Sequence, residues 1–291
     1  MKGSDIFVLP TPLQPIHNDI TRQFKVQLFM KRDDLIHPEI SGNKWRKLKY
    51  NTEQARLENK ATLLTFGGAY SNHITATAAA GRLLGFKTIG IIRGEEYQPL
   101  NKSLQFAVDS GMQLYYINRA AYKDKQHIPF TLFPDLDSMY VIPEGGANAL
   151  AVKGCAEIPE EIQMDFDYIC CACGTGTTLA GMAGSLKSHQ QAVGFPVLKN
   201  GAFLSDEIKR LTTADFQLIT DYHFGGYAKT TPQLIQFIKD FYAEHHILLD
   251  YVYTGKMMYG IMDLIAKNHF PPESVIVAVH TGGVMNANVF D

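Results

Sequence analysis

Short apolar runs alternate with longer amphipathic stretches over almost the whole chain, and this alternation limits the possible folds more than any other feature. The apolar runs are rich in β-branched residues and lie at 26–30, 62–66, 88–92, 113–117, 139–143, 168–173, 192–198 and 274–280. The amphipathic stretches lie between them, at 43–59, 71–85, 99–110, 147–163, 177–188, 231–246 and 255–268. Continuous apolar strands are typical of parallel sheets covered by crossover helices on both faces. The pattern therefore predicts an α/β protein.

Length and charge narrow the class of protein further. The chain has 291 residues, of which 46% are hydrophobic, so it can bury a large core divided between two domains. Its formal net charge of -2 conceals no long run of either sign, which predicts no nucleic-acid partner. No stretch reaches membrane-spanning length, and the first twelve residues lack the apolar run of a signal peptide. We therefore expect a cytoplasmic protein without a membrane partner.

The cysteines and histidines give no sign of a metal site. Three of the four cysteines crowd into "YICCACG" (168–174), too close together for a zinc ribbon and without a second pair downstream. They are typical of small apolar residues in a buried strand in a reducing compartment. The ten histidines include no HExxH pair. We expect no bound metal.

The clearest local motif is a glycine–threonine turn that follows an apolar strand and precedes a helical pattern. It consists of Gly174, Thr175, Gly176, Thr177 and Thr178. Backbone N–H groups at such a turn, with a helix N-terminus behind them, form a site for an anion. No Gly-Lys-Ser/Thr follows, which excludes a P-loop, and no acidic residue ends the next strand to hold a ribose. The motif predicts a site for one phosphate group; the alternative is a threonine-capped turn without a ligand.

Three further glycine turns follow apolar strands in the same way. "GGAYSNH" (67–73) places Ser71 and Asn72 at the start of a helix, where free N–H groups and a hydroxyl would suit a carboxylate. "PEGGAN" (143–148) and "HTGG" (280–283) are the others. Each alone is only a turn, and a helix cap without a ligand is the simpler interpretation of Ser71. Four together predict a crevice at the carboxyl ends of parallel strands.

A helix that begins at "SGNKWRKLKY" (41–50) carries its basic residues at the unfavourable end. Lys44, Arg46 and Lys47 crowd the first turns, where the helix dipole repels cations. A partly buried lysine in this position has its charged form disfavoured, so its pKa falls and the free amine becomes a nucleophile. The alternative is a solvated lysine on a helix surface, like Lys49, whose spacing from Glu53 predicts an i,i+4 pair.

Taken together, these motifs resemble a known family. "KRDDLIHPEISGNKWRKLKY", "GGAYSNH", "PEGGANALAVKG", "CGTGTTLAGM", "VYTGKMMYGIMDLI" and "HTGGV" occur in the order and spacing of the pyridoxal-phosphate enzymes that include 1-aminocyclopropane-1-carboxylate (ACC) deaminase and D-cysteine desulfhydrase. The likeness runs from about residue 10 to the C-terminus. It implies the tryptophan-synthase-β-like fold (fold type II), with a large cofactor-binding domain of residues 1–47 and 147–291 and a small inserted domain of residues 48–146. It also implies a homodimer.

The resemblance further implies roles around pyridoxal 5'-phosphate. Lys44 matches the lysine that bonds to the cofactor, and Asn72 the residue beside its phenolic oxygen. Ser71 matches the hydroxyl that meets the substrate carboxylate. The phosphate loop corresponds to Gly174, Thr175, Gly176, Thr177 and Thr178.

Three positions later in the chain bear on the substrate. Tyr253 and Tyr227 match two tyrosines that face the substrate, and Tyr253, beside a cationic cofactor, is expected to ionise more easily than a free phenol. Thr254 matches the partner of the pyridine nitrogen. Members that open the cyclopropane ring carry glutamate there, whereas a neutral hydroxyl is similar to the D-cysteine desulfhydrase side of the family.

The resulting hypothesis is a lyase or deaminase of a small amino acid. D-Cysteine, converted to pyruvate, sulfide and ammonia, is the first candidate substrate, and ACC is the alternative. A hypothesis from another class is a non-catalytic protein that holds pyridoxal phosphate. Tyr70, which stands where the family often has glutamine, would fit that second hypothesis.

Overall fold

The computed structural model describes residues 6–125, 127, 132–133, 135–284 and 289–290. Its first half contains β1 (Leu13–Ile16), α1 (Asp19–Gln23), β2 (Gln27–Lys31), α2 (Asn43–Leu57), β3 (Thr62–Gly68), α3 (Asn72–Leu84), β4 (Lys87–Arg93), α4 (Lys102–Asp109), β5 (Met112–Ile117) and β6 (Met139–Ile142). Its second half contains α5 (Ala149–Glu160), β7 (Tyr168–Cys173), α6 (Thr177–Gly184), β8 (Gln191–Pro196), α7 (Leu204–Lys209), β9 (Gln217–Leu218), α8 (Pro232–His245), α9 (Thr254–Ala266) and β10 (Val275–Val279).

The strands form two sheets. The larger has six strands in the order β1-β2-β10-β7-β8-β9, and the smaller has four in the order β5-β4-β3-β6. Every pairing is parallel except that of β1 with β2. The predicted α/β class with mostly parallel sheets is confirmed. The smaller sheet uses residues between 62 and 142, and the larger sheet uses strands from both sides of that segment.

The predicted domain boundaries stay a prediction. They place residues 1–47 with 147–291 and make 48–146 an insertion, which agrees with the strands that each sheet uses. Residues 1–5, the first of the proposed large domain, and residues 285–288 and 291, among its last, lie outside the described part of the chain.

Side chains of β7 show why its sequence reads as a continuous apolar run. Cys170 and Ala172 pack in one core cluster with residues of α9, including Met257. Cys171 packs with α6 residues such as Leu179 in a second cluster. Alternate residues of a strand point to opposite faces, so a strand covered on both faces must be apolar throughout. All four cysteines are buried with free thiols, as predicted.

Polar caps set where the helices begin. Asn18, Ser71, Asn101, Asn148 and Thr231 stand immediately before α1, α3, α4, α5 and α8, and each accepts a hydrogen bond from a backbone N–H of the first turn. Such a cap stabilises a helix by about 1 kcal/mol. Helices α2, α6, α7 and α9 have no such cap from the residue before them, and α2 and α6 each follow a glycine. Among the described residues, no helix is long and apolar enough to cross a membrane.

Candidate functional site

A cavity of ≈ 840 Å³ lies where the parallel strands end. Gly68 at the end of β3, Gly145 after β6, Gly174 after β7 and Gly282 after β10 all line its wall. Gly68 and Gly145 follow strands of the smaller sheet, and Gly174 and Gly282 follow strands of the larger one. The cavity therefore lies between the carboxyl ends of the strands of both sheets. The predicted crevice formed by four glycine turns is therefore confirmed.

Lys44 lies on this wall, in the first turn of α2. It is partly buried, and its Nζ donates a hydrogen bond to Oδ1 of Asn43 at 2.8 Å. Burial, and after it the charge of Lys47, lower the pKa of Lys44 to about 7. A free amine at neutral pH is a nucleophile and a base, whereas an ammonium group is neither. The lowered pKa predicted from the sequence is confirmed, and a solvated helix-surface lysine is excluded.

Gly42 explains how Lys44 comes to face the cavity. Its φ is +65°, and a Cβ at this position would lie 1.9 Å from the backbone oxygen of Thr281. The start of α2 is therefore pressed against the turn after β10, and a larger residue would push the two apart. The Asn43 N–H donates to the same oxygen at 3.3 Å, which fixes the direction of the helix.

The glycine–threonine turn precedes α6 as predicted. Gly176 is left-handed, with φ of +73°, and no side chain caps the helix behind it. The hydroxyl oxygens of Thr175 and Thr177 are 3.1 Å apart, and Oγ1 of Thr178 accepts a hydrogen bond from Asn43 Nδ2 at 2.9 Å. An uncapped helix start beside several hydroxyls is suited to an anion.

Lys47 adds a cation to this turn, a role that no motif in the sequence had indicated. Its Nζ donates to the backbone oxygen of Gly145 at 3.0 Å and to Oγ1 of Thr175 at 3.4 Å. The side chain is buried on the cavity wall, where burial lowers its pKa. Its position three residues after Lys44, one helical turn away, is the signal that could have identified it.

The turn after β3 carries Ser71 and Asn72 onto the same wall. Ser71 caps α3, and its Oγ accepts a hydrogen bond from the His73 N–H at 3.2 Å. Asn72 begins the helix, and its Nδ2 lies 2.9 Å from the position that a Cβ on Gly283 would occupy. A helix start with a hydroxyl is suited to a carboxylate, as predicted for the substrate.

His73 is a buried wall residue with an assignable tautomer. Its Nε2 lies 2.9 Å from Oγ1 of Thr65, and that hydroxyl donates its hydrogen to the Ile142 backbone oxygen. The hydroxyl therefore accepts from Nε2–H, which leaves Nδ1 without a hydrogen. Burial, and then the charges of Lys44 and Lys47, hold the pKa of His73 well below its usual value. The ring is neutral at physiological pH.

Tyr253 and Tyr227 face each other across the cavity wall. Their ring centroids are 6.1 Å apart in an edge-to-face arrangement. Burial, and then the Tyr227 hydroxyl, raise the pKa of Tyr253 well above its usual value. The cause is that a buried phenolate loses its solvation. The easier ionisation expected from the sequence requires a cationic cofactor beside the ring and stays a prediction. In the protein itself, Tyr253 is therefore a neutral proton donor.

Lys256 holds the loop that carries Tyr227. This lysine of the "VYTGK" motif is buried in α9, and its Nζ donates to the backbone oxygens of His223 at 2.9 Å and Gly226 at 2.7 Å. Burial lowers the pKa of Lys256 to about 8. Two bonds from one cation fix the turn that precedes Tyr227.

Thr254 and Thr177 are the two predicted site residues that do not line the cavity. Both are fully buried. The Thr254 hydroxyl donates to Oδ2 of Asp250 at 2.7 Å and accepts from the Asp250 backbone N–H at 2.9 Å. Its hydrogen is thus already committed to a neighbouring carboxylate. The role of Thr254 at a pyridine nitrogen stays a prediction.

The family to which the chain belongs follows from comparison with known proteins. The model of the family described as "Pyridoxal-phosphate dependent enzyme" matches residues 5–282. The chain belongs to this family. A Thermotoga maritima protein provisionally named 1-aminocyclopropane-1-carboxylate deaminase is 30% identical, with 96% of each chain covered. The mitochondrial bifunctional D-cysteine desulfhydrase/1-aminocyclopropane-1-carboxylate deaminase of Arabidopsis thaliana is 31% identical, over 89% of this chain and 73% of the relative.

The solved structures agree with the family. The crystal structure of an ACC deaminase homologue has a TM-score of 0.84 and 29% identity, over 98% of this chain and 93% of that one. The predicted fold type II is confirmed, as is pyridoxal phosphate as the family's cofactor.

The residues of the cavity fit this cofactor. The uncapped start of α6 and Lys47 offer one phosphate group its donors and a positive charge. Lys44, in the same cavity, offers an amine that is free at neutral pH. A phosphate and an aldehyde are the two groups that this pair of features would bind. Among the described residues, no group of three side chains could hold a metal ion.

The pKa of Lys44 gives this pyridoxal-phosphate dependent enzyme a defined pH dependence. Below about pH 7 the amine is protonated, and above it the amine is free to attack the cofactor aldehyde. We expect the rate of cofactor uptake by the apoprotein to rise with pH and to level off above pH 7. An unshifted lysine would still have roughly one free amine in a thousand at that pH, and the rate would keep rising beyond pH 9. Stopped-flow absorbance after mixing distinguishes the two profiles.

Replacement of Lys47 tests the proposed phosphate site. We expect Lys47→Met to raise the dissociation constant for pyridoxal phosphate about tenfold to a hundredfold, because a charge-assisted hydrogen bond is lost. Pyridoxal, which lacks the phosphate, should lose much less affinity. Titration of apoprotein with both compounds measures the difference. Equal losses for the two would contradict a contact with the phosphate. Lys49→Met, two positions further along α2, is the matched control because Lys49 pairs instead with Glu157 at 2.6 Å.

Replacement of Lys256 tests how the Tyr227 loop is held. We expect Lys256→Met, similar in length but uncharged, to increase hydrogen exchange of residues 221–229 and to raise KM roughly tenfold. Lys229→Met lies in the same loop on an exposed side chain and should change neither quantity. If exchange in this loop were unchanged by Lys256→Met, the two carbonyl contacts would not be what orders it.

Proposed function

We propose that this enzyme catalyses β-elimination and deamination of a small amino acid, with D-cysteine as the first candidate substrate. Its products would be pyruvate, sulfide and ammonia. The strongest support is the position of Lys44, whose pKa is about 7. It lines one cavity together with Ser71 at the start of α3 and with the glycine–threonine turn. When bound, pyridoxal phosphate delocalises the electrons left by breakage of a Cα–H bond.

The chain's own residues would divide the work as follows. The α3 start with Ser71 would orient the substrate carboxylate, and Asn72 would lie beside the cofactor ring. Lys44 Nζ would accept the proton from the substrate Cα, because with a pKa of about 7 a large fraction of its amine is unprotonated at neutral pH. Tyr253, whose raised pKa keeps it protonated, would donate a hydrogen bond or a proton to the departing β substituent.

Two observations bear on the choice of substrate. Thr254 supplies no charge at the predicted position of the pyridine nitrogen, which favours a reaction that needs less carbanion stabilisation, such as loss of a good leaving group. ACC remains an equal alternative, because both the Thermotoga maritima and the Arabidopsis thaliana relatives carry ACC deaminase in their names.

A parallel assay separates these substrates. Purified holoenzyme would be given D-cysteine, L-cysteine or ACC, and sulfide, keto acid and ammonia would be measured together. We expect sulfide and pyruvate in equal amounts from D-cysteine and none from L-cysteine. Keto acid and ammonia from ACC alone would replace the first candidate with the second. Absence of turnover with all three would refute both substrate assignments.

We also propose a homodimer in the cytoplasm. Family membership supports the dimer, and buried free cysteines fit a reducing compartment. Sedimentation equilibrium would show a mass twice that of the 32.5 kDa chain. A monomer at all concentrations would refute the dimer.

A further inference from the structure

One part of the cavity wall carries more positive charge than a neutral amino acid requires. Arg93 ends β4, and Arg119, Lys123 and Lys125 lie in the segment after β5. Glu144 is the one carboxylate among the described residues of the wall, and it pairs with Lys125 at 3.1 Å. In the part of the chain that the structure describes, the other three cations have no carboxylate within ion-pair distance.

Arg93 lies next to the predicted carboxylate site. It is paired in register with Gly68, and its Nη2 lies 3.4 Å from the position that a Cβ on Gly68 would occupy. The Gly68 backbone oxygen accepts the N–H of Ser71 at 3.0 Å. The guanidinium therefore lies beside the turn that leads to the Ser71 helix start.

Tyr122 lies on the same wall beside Arg93. The guanidinium carbon of Arg93 lies 5.8 Å from the centre of the Tyr122 ring. The Tyr122 hydroxyl is buried, and its polar neighbour is the Glu144 carboxylate. Burial first, and then the charge of Glu144 and a hydrogen bond to it, raise the pKa of Tyr122, so the hydroxyl stays protonated. Because that hydroxyl faces a carboxylate, Arg93 is the group of this pair that is available to an anionic ligand.

Charge balance indicates what that ligand carries. The cofactor phosphate would be matched by Lys47 and the start of α6, and the α-carboxylate of a substrate by the start of α3. These two anions leave Arg93, Arg119 and Lys123, which are exposed at the cavity wall, without a carboxylate partner among the described residues. An arginine guanidinium is suited to the oxygens of a carboxylate, sulfonate or phosphate.

We propose that the preferred substrate is a small amino acid with a second anionic group on its β carbon, bound by Arg93. This inference rests on the proposed β-elimination and refines its substrate. For a substituent that leaves as X⁻, the Cα–H, C–X and C–N bonds break, Cβ takes up a proton, and water supplies the keto oxygen. The products are pyruvate, ammonium, X⁻ and one proton, so no oxidant or reductant is needed. D-Cysteine would then be a slower substrate than its anionic analogues.

Paired substrates test this directly. Holoenzyme would be assayed for pyruvate with O-phosphoserine and cysteate, and with cysteine and β-chloroalanine as neutral counterparts, each as D and L forms. We expect kcat/KM to be at least tenfold higher for an anionic substrate than for a neutral one of the same configuration. In Arg93→Gln that ratio should fall at least tenfold, and Arg93→Lys should restore part of it. Arg210→Gln, an exposed arginine on the surface, is the control.

A binding measurement gives a readout that does not depend on turnover. Aspartate and alanine lack a leaving group, and the change in visible absorbance on their addition reports their dissociation constants. We expect wild type to bind aspartate more tightly than alanine, and Arg93→Gln to remove the difference. Equal preference for neutral and anionic compounds would overturn the inference while D-cysteine turnover still supported the proposed function. No absorbance change and no turnover with any amino acid would overturn both.

Discussion

Replacing Lys44 with alanine is expected to lower kcat by at least about 10³-fold. The substitution removes the amine that would bond to the cofactor and accept the Cα proton, and no other described wall residue duplicates both functions. Lys47 is the nearest alternative, but its Nζ is engaged with Gly145 and Thr175. Initial rates with whichever amino acid the wild type converts measure the loss.

Lys49→Ala is the matched control for this variant. Lys49 is on the same helix and also basic, but it is paired with Glu157 and does not line the cavity. We expect it to keep kcat within about threefold of wild type, since surface ion pairs contribute less than about 1 kcal/mol. If Lys44→Ala retained more than a tenth of wild-type activity, Lys44 would not be the residue that carries the chemistry.

Replacing Asp33 with alanine is expected to lower the free energy of unfolding by about 3–5 kcal/mol. Arg46 and Asp33 are both completely buried. Arg46 donates from Nε and Nη2 to the two Asp33 carboxylate oxygens, at 3.1 and 3.0 Å, and from Nη1 to Oε1 of Glu161 at 2.5 Å. Removing one carboxylate leaves the buried guanidinium only partly compensated. Urea unfolding followed by circular dichroism measures the change.

An exposed ion pair gives the comparison for Asp33→Ala. Asp19 and Arg22 pair on the surface of α1, with side chains 95% and 68% exposed. Asp19→Ala should cost less than about 1 kcal/mol under the same conditions. Because Arg46 follows Lys44 by two residues, Asp33→Ala should also weaken cofactor retention at low denaturant. A loss for Asp33→Ala no larger than that for Asp19→Ala would show that the buried network does not stabilise the start of α2.

The basic residues at the start of α2 were only partly explained from the sequence. The three basic residues at its unfavourable end were explained by the chemistry of Lys44 alone. In the structure each of the three has its own surroundings. Lys44 faces the cavity, Arg46 joins a buried ion network, and Lys47 contacts the glycine–threonine turn. The partners of Arg46 are 13 and 115 residues away in the chain, so no local spacing could predict them.

Local sequence patterns predicted the long strands and helices. They did not predict the short elements and the ion pairs that depend on tertiary contacts. All eight predicted strands and all seven predicted helices are present, because apolar runs and helical periodicity are local signals. Strands β1 and β9 and helices α1 and α7 were missed, since each has six residues or fewer and depends on its neighbours. The predicted pair of Lys49 with Glu53 is wrong, as Lys49 reaches Glu157 on the adjacent helix instead.

The sequence indicated the parts of the cavity that are formed by local motifs, but not the residues that only the tertiary fold brings to its wall. The glycine turns of each sheet lie together because its parallel strands end at one edge, which a sequence can indicate, whereas the approach of the two sheets comes from the tertiary fold. Arg93 and Tyr122 belong to no motif, and their proximity comes from the register of β3 with β4 and from the segment after β5. The burial that raises the pKa of Tyr253 likewise comes from the tertiary fold, and no local pattern indicates it.

The most direct test of the account is to locate the lysine that carries the cofactor. Holoenzyme would be reduced with borohydride, which converts a lysine–cofactor linkage into a stable secondary amine, then digested and analysed by mass spectrometry. The account predicts that the added mass lies on Lys44 and that Lys44→Ala abolishes it. A label found instead on Lys47, Lys256 or any other lysine of the wild-type protein would contradict the central claim.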